Sequence, residues 1–141
     1  GSKLDPRVSK DFLTLGLKVC EGYGMTETSP MISFTPLNEI RPGSAGRILP
    51  GIEAKIADDG EIIARGRNVM KGYYNKPEET AETIDNEGWI HTGDLGEIKD
   101  SFLYVTGRKK EMIVLSNGKN INPIEIEQQI MNKTCRLRGR W

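Results

Sequence analysis

Apolar positions along this chain change period more than once, and each change marks an element. Over residues 4–16 they recur at helical spacing, with Val8, Phe12 and Leu15 on one side. Asp5 stands where an N-cap belongs, Pro6 suits the first turn, and Gly16 can end the helix, so the face carrying Val8 is expected to pack. Residues 17–20, Leu-Lys-Val-Cys, read as a brief buried strand that delivers residues 21–27 as a loop at its C-terminal end. Short apolar segments follow at 46–49, 52–56 and 60–64, separated by Pro50-Gly51 and Asp58-Asp-Gly60. Alternation of Ile52, Ala54 and Ile56 predicts half-buried antiparallel strands, with Asp59-Gly60 as a hairpin turn. A short helix is predicted over residues 77–83. Strands are predicted at Trp89-Ile90, at 102–105 and at 112–115. Asn122 as N-cap, Pro123 at N1 and Glu125 at N3 open a last helix on which Ile126 and Ile130 share a face. The predicted class is α+β, with a small, mostly β unit in the middle.

Composition narrows the function classes. Twenty basic and twenty acidic residues balance among 141, so neither a general nucleic-acid role nor binding to an anionic membrane has compositional support. No stretch approaches a transmembrane span, and no secretory leader is expected. The one histidine, His91, excludes a multi-histidine metal cluster within this chain. Cys20 and Cys135 are expected as free thiols, with a disulfide as the alternative.

Candidate chemistry gathers in three glycine-punctuated stretches: Glu21-Gly-Tyr-Gly-Met-Thr-Glu27, Gly88-Trp-Ile-His-Thr-Gly-Asp-Leu-Gly96, and the run from Thr106 to Asn120. Tyr23, between two glycines, offers a face for a purine, although a core tyrosine is an equal reading. Thr26 can donate to a phosphate, and Glu27 can ligate a hard cation such as Mg²⁺. Neither the lysine nor the length of a Walker-type loop is present in that stretch. Asp94, in what reads as a loop between two strand-like stretches, accepts only when ionised and suits two ribose hydroxyls, with an ordinary turn carboxylate as the alternative. His91 lacks a local acid or nucleophile and is not expected to be catalytic. The string Arg108-Lys-Lys-Glu111 reads either as a solvated charge run or as a site in which the arginine fork spans ribose or phosphate oxygens, and Lys119 is a further phosphate candidate. Local chemistry alone stops at a candidate nucleotide-binding fragment.

Taken together, Gly22-Tyr-Gly-Met-Thr-Glu27, Gly88-Trp-Ile-His-Thr-Gly-Asp94 and Gly107-Arg-Lys-Lys-Glu-Met-Ile-Val-Leu-Ser-Asn-Gly-Lys-Asn120 closely resemble motifs of the AMP-forming adenylating enzymes. The wording is most similar to the long-chain fatty acyl-CoA synthetases, and the resemblance covers roughly residues 4–133. It implies that Tyr23, Gly24, Met25 and Thr26 line the nucleotide, with Tyr23 stacked on adenine and Thr26 at the α-phosphate. Glu27 would help hold Mg²⁺, Asp94 and Arg108 would bind the ribose, and Lys110 would sit at the hinge. Lys119 would approach the phosphate and CoA side. The organisation implied is the end of a large α/β subdomain over residues 1–40, a small antiparallel β-barrel-like subdomain over 41–109, and a hinge with the start of a C-terminal domain over 110–141.

The expected activity is that of a long-chain fatty acid–CoA ligase using ATP, Mg²⁺ and CoA. A phosphate loop, most of an acyl tunnel and a distal lysine of the family are missing from the 141 residues, so the isolated chain is expected to be an inactive fragment. Fatty acid and nucleotide are the implied partners, in the cytoplasm or peripherally at the inner membrane face. Two alternatives stand beside this reading: an adenylating enzyme that loads a carrier protein, and a non-catalytic nucleotide-binding module.

Overall fold

A computed structural model describes residues 4–114 together with 120, 121, 123, 126, 129 and 130. Backbone packing divides the chain into two units, Gly1–Thr106 and Gly107–Trp141. The first unit opens with α1 (Pro6–Thr14), capped as its sequence predicts: Asp5 Oδ1 accepts from the Arg7 N–H at 2.8 Å. Gly16, at φ +78°, closes the helix while the Leu17 N–H reaches back to the Phe12 carbonyl at 2.9 Å. The predicted packing of its apolar face is not found. Val8 and Phe12 are each 40% exposed and Leu15 is 75% exposed, and Ser9 is the buried residue of the helix. No described element supplies a surface for that stripe.

Strands follow as β1 (Gly22–Tyr23), β2 (Ser33–Phe34), β3 (Arg47–Ile48), β4 (Ile52–Ile56) and β5 (Glu61–Gly66). After α2 (Pro77–Thr83) come β6 (Ile90–Lys99) and β7 (Phe102–Arg108). These seven strands form one sheet in the order β1-β2-β3-β7-β6-β5-β4, with β1/β2, β2/β3, β3/β7, β4/β5 and β5/β6 antiparallel. The strand expected over residues 17–20 is absent. Pairing starts two residues beyond it, at Gly22, because the available ladder partner is β2 and Leu17 remains 54% exposed. Asp59-Gly60 does make the β4–β5 turn: Gly60 lies at φ +85° and its N–H bonds the Ala57 carbonyl at 2.9 Å.

The core centres on Ile32, Ala64 and Ile90, which are fully buried, with Tyr23, Met25, Ile52 and Val69 packed against them. Burying a side chain such as Ile90 contributes about 1.5–3 kcal/mol. Two residues of the Tyr-Gly-Met-Thr-Glu stretch are therefore anchored on the core. Outside it, the guanidinium of Arg41 lies over the buried Phe102 ring at 4.1 Å, and Lys55 lies over Trp89 at 4.2 Å.

The second unit contains the end of β7, a single turn Lys109–Glu111, and the pair β8 (Ile113–Val114) and β9 (Asn120–Ile121), antiparallel to each other. Pro123, Ile126, Gln129 and Ile130 are helical, with Ile126 and Ile130 exposed. The predicted cap residues Asn122 and Glu125, the turn at 116–118, Lys119 and Cys135 lie outside the described residues. Cys20 is a free thiol.

Candidate functional site

The Tyr-Gly-Met-Thr-Glu stretch folds as β1 followed by a single helical turn over Thr26–Thr28. Ile32 N–H to the Tyr23 carbonyl, 2.7 Å, holds its first part. Gly24 is required by space: a Cβ there would run into the Pro30 carbonyl oxygen. Thr28, fully buried, closes the turn through its hydroxyl, which accepts from the Met25 N–H at 3.0 Å and donates to the Met25 carbonyl at 2.9 Å. Asn68 ties the turn down from another strand end, its Nδ2 donating to the carbonyls of Thr28 (2.8 Å) and Met31 (2.9 Å). Thr26 itself is exposed, and Glu27 is half-buried.

Both expected acidic ligand groups are held by tyrosines. Tyr23 Oη donates to Asp94 Oδ2 at 2.8 Å across 71 positions of sequence. Tyr73 Oη donates to Glu27 Oε1 at 2.8 Å, and the Met70 N–H bonds the Glu27 carbonyl at 2.8 Å. The hydrogen bond to Glu27, and burial after it, push the Tyr73 phenol above its ordinary range, so it stays protonated and remains a donor.

Asp94 does not sit in a loop between two strands, as its sequence context predicts. It lies inside β6, on a bulge. Ile63 opposes His91 while Glu61 opposes Leu95, so a two-residue step on β5 faces a four-residue step on β6. Thr92 Oγ1 donates to the Ile62 carbonyl at 2.7 Å and accepts from the Asp94 N–H at 3.1 Å. Gly93 adopts φ +73° and its N–H bonds Glu61 Oε1 at 2.7 Å. Glu61 Oε2 lies 3.1 Å from His91 Nδ1. His91 thus has an acid partner after all, one thirty residues away that no local spacing reveals.

Arg108 and Lys110 are exposed, Arg108 at the end of β7 and Lys110 in the turn that follows; both belong to the second unit. Among the described residues no group of three or more His, Cys, Asp or Glu side chains gathers as a metal cage. Two residues that matter to the site escaped the sequence reading. Tyr73 carries no local signal. Glu61 carries a weak one, an acidic residue directly heading the apolar run Ile62-Ile-Ala64, and the structure buries all four.

The chain belongs to the AMP-binding enzyme family, whose pattern matches residues 1–74. It is 41% identical over 131 residues to the long-chain-fatty-acid–CoA ligase FadD15 of Mycobacterium bovis, covering 92% of this chain and 22% of that protein. Its backbone is similar to that of ATP-bound MatB from Rhodopseudomonas palustris, with a TM-score of 0.85 and 34% identity over 92% of this chain and 28% of that one. O-succinylbenzoate coenzyme A synthetase (MenE) from Bacillus subtilis, in complex with ATP and magnesium ion, aligns with a TM-score of 0.81 and 34% identity, covering 95% of this chain and 30% of that one. The chain spans about a fifth of the length of the curated relatives it matches. Among the described residues no helix is long and apolar enough to cross a membrane.

Proposed function

We propose that these residues serve an ATP-dependent, AMP-forming ligase that joins CoA to a fatty acid. The observation that carries this reading is the 2.8 Å bond between Tyr23 Oη and Asp94 Oδ2. Base and ribose are joined covalently in a nucleotide, so a ring that stacks on adenine and a carboxylate that receives ribose hydroxyls must lie side by side. A carboxylate has about four acceptor positions, so the bond from Tyr23 does not by itself exhaust what Asp94 can receive from ribose hydroxyls. Tyr23 would present the stacking face, with Gly24 and Met25 as the nucleotide-lining backbone beside it. Thr26 would donate to the α-phosphate from its exposed turn, and Arg108 would be a ribose ligand.

Mg²⁺ fits Glu27 on the chemistry of the donor set: this ion takes one or two carboxylates together with substrate phosphates and needs no protein cage. Bound there, it would neutralise phosphate charge. In the reaction a fatty-acid carboxylate attacks the α-phosphorus, pyrophosphate leaves, and the CoA thiol then displaces AMP from the acyl carbon. No side chain of this chain forms a covalent bond; positioning and charge stabilisation are its contribution. In this reading the seven-stranded sheet includes the family's barrel-like subdomain, Lys110 is the hinge, and Lys119 serves the phosphate and CoA side of the reaction.

The test is nucleotide binding by a full-length ligase carrying these residues, with AMP release dependent on fatty acid and CoA as the activity control. A hydrogen bond to a charged group contributes about 1.5–3 kcal/mol. Asp94→Ala is therefore expected to weaken ATP or AMP binding at least about tenfold, at roughly 1.4 kcal/mol per decade. His91→Ala should cost less. The opposite ranking would reverse the assignment.

A further inference from the structure

A carboxylate in the wall of the sheet, outside the set expected to touch ligand, organises the backbone that carries Asp94. Glu61 is only 4% exposed. A carboxyl group taken out of water needs hydrogen-bond partners, and the bulge on the neighbouring strand supplies two of them. The surplus residues of a bulge lose their regular ladder partners, so their backbone groups must be satisfied otherwise. Glu61 Oε1 meets one of these groups, accepting from the Gly93 N–H at 2.7 Å. Its other oxygen faces His91 Nδ1 at 3.1 Å, at the point where regular pairing resumes. The two contacts grip the bulge on both sides of Thr92. Thr92 in turn spans from the Ile62 carbonyl to the Asp94 N–H.

An added Cβ at Gly93 would meet nothing within 4 Å apart from its chain neighbours, so no packed side chain fixes this residue from that side, and the hydrogen bond to Glu61 is what holds its N–H. We propose that Glu61 is a positioning residue: through the Gly93 amide and His91 it sets the bulge at 92–94, and thereby the direction in which Asp94 presents its carboxylate to the nucleotide. It acts through Asp94 and does not touch substrate. This rests on the reading of Asp94 as the ribose acceptor.

Reach and charge are separable at this position. Glu61→Gln keeps an acceptor oxygen at the same distance and loses the charge. Glu61→Asp keeps the carboxyl group and withdraws it by one methylene, beyond reach of the Gly93 amide. Glu61→Ala removes both. In the full-length ligase, ATP dissociation constants should rank Glu61→Gln within about threefold of the parent, Glu61→Asp about fivefold weaker and Glu61→Ala about tenfold weaker. In the Glu61→Ala/Asp94→Ala double variant, affinity should fall no further than about twofold below Asp94→Ala alone, because the first residue acts through the second. A Leu103→Val variant, matched in loss of thermal stability, should keep parental affinity and so separates positioning from general loosening. Multiplying effects in the double variant, or Glu61→Asp binding nucleotide as well as Glu61→Gln, would overturn the proposal. So would parental affinity in Glu61→Asp alongside a loss in Asp94→Ala. Parental affinity in Asp94→Ala itself would bring down the ribose assignment first, and this one with it. If Glu61→Ala does not fold, the ranking of the Glu61→Gln and Glu61→Asp variants decides alone.

Discussion

A phenol that donates to a carboxylate fixes where that carboxylate points, and at Glu27 this is the work of Tyr73. Removing the hydroxyl in Tyr73→Phe leaves the ring in place and frees the Glu27 side chain to choose other rotamers. Because Glu27 is only half-buried, water replaces part of what is lost. The cost to Mg·ATP binding is expected near 1 kcal/mol, roughly fivefold, with AMP binding in the absence of Mg²⁺ changed much less. Titrating nucleotide with and without the metal checks this; equal losses in both would show that Tyr73 supports the turn in general and not the metal ligand. The raised phenol pKa sets the sign of the pH effect. The hydrogen bond's contribution is complete below the unfolded value of 10.0 and fades as pH climbs through the higher folded value, so it is constant across neutral conditions. Neither tyrosine–carboxylate bond was legible in the sequence. Tyr23 and Asp94, and likewise Glu27 and Tyr73, meet only because strands far apart in the chain share a fold, and spacing along the chain carries no trace of that.

Elements were legible where a local rule decides them. The Asp5 cap, the Gly16 stop, the Asp59-Gly60 turn and the alternation of β4 each follow from a residue's own conformational preference, and each is found. Residues 17–20 and the apolar face of α1 failed for the opposite reason, since a buried strand or helix face exists only where something covers it. The β6 bulge failed for a third: Thr92-Gly93-Asp94 carries a turn signature, yet a buried acid on the next strand lets the ladder continue around it. Glycine's two uses in the site predict different penalties. Gly24 lacks room, so Gly24→Ala must move the Pro30 carbonyl and is expected to cost about 3 kcal/mol. Gly93 has room but sits at φ +73°, so Gly93→Ala is expected to cost only about 1–2 kcal/mol of backbone strain. Urea unfolding of the two variants measures the difference. Equal midpoints would mean that the segment at Pro30 yields easily and that Gly24 is not a packing requirement.

At the scale of the molecule, the division between the two units falls within β7, after Thr106, and Lys110 lies just beyond it in the exposed turn Lys109–Glu111. The resemblance to adenylating enzymes implies a hinge here, a proposal that backbone chemistry can test. A residue inside a first helical turn tolerates proline, whose φ near −65° suits it, while the residue before it is pressed toward extended conformations. Lys110→Pro should therefore fold, keep Tyr23, Glu27 and Asp94 as they are, and stiffen the connection through which one unit would swivel between half-reactions. In the full-length ligase, formation of acyl-adenylate is expected to fall less than twofold and transfer to CoA about tenfold or more. Single-turnover reactions with fatty acid and ATP, followed by addition of CoA, separate the two steps. Lys110→Ala supplies the contrast: it removes the ammonium but leaves the backbone free, and should spare both. Equal losses in the two half-reactions for the proline variant, or a loss of thioester formation in the alanine variant, would assign Lys110 a direct chemical or structural role and end its reading as a hinge.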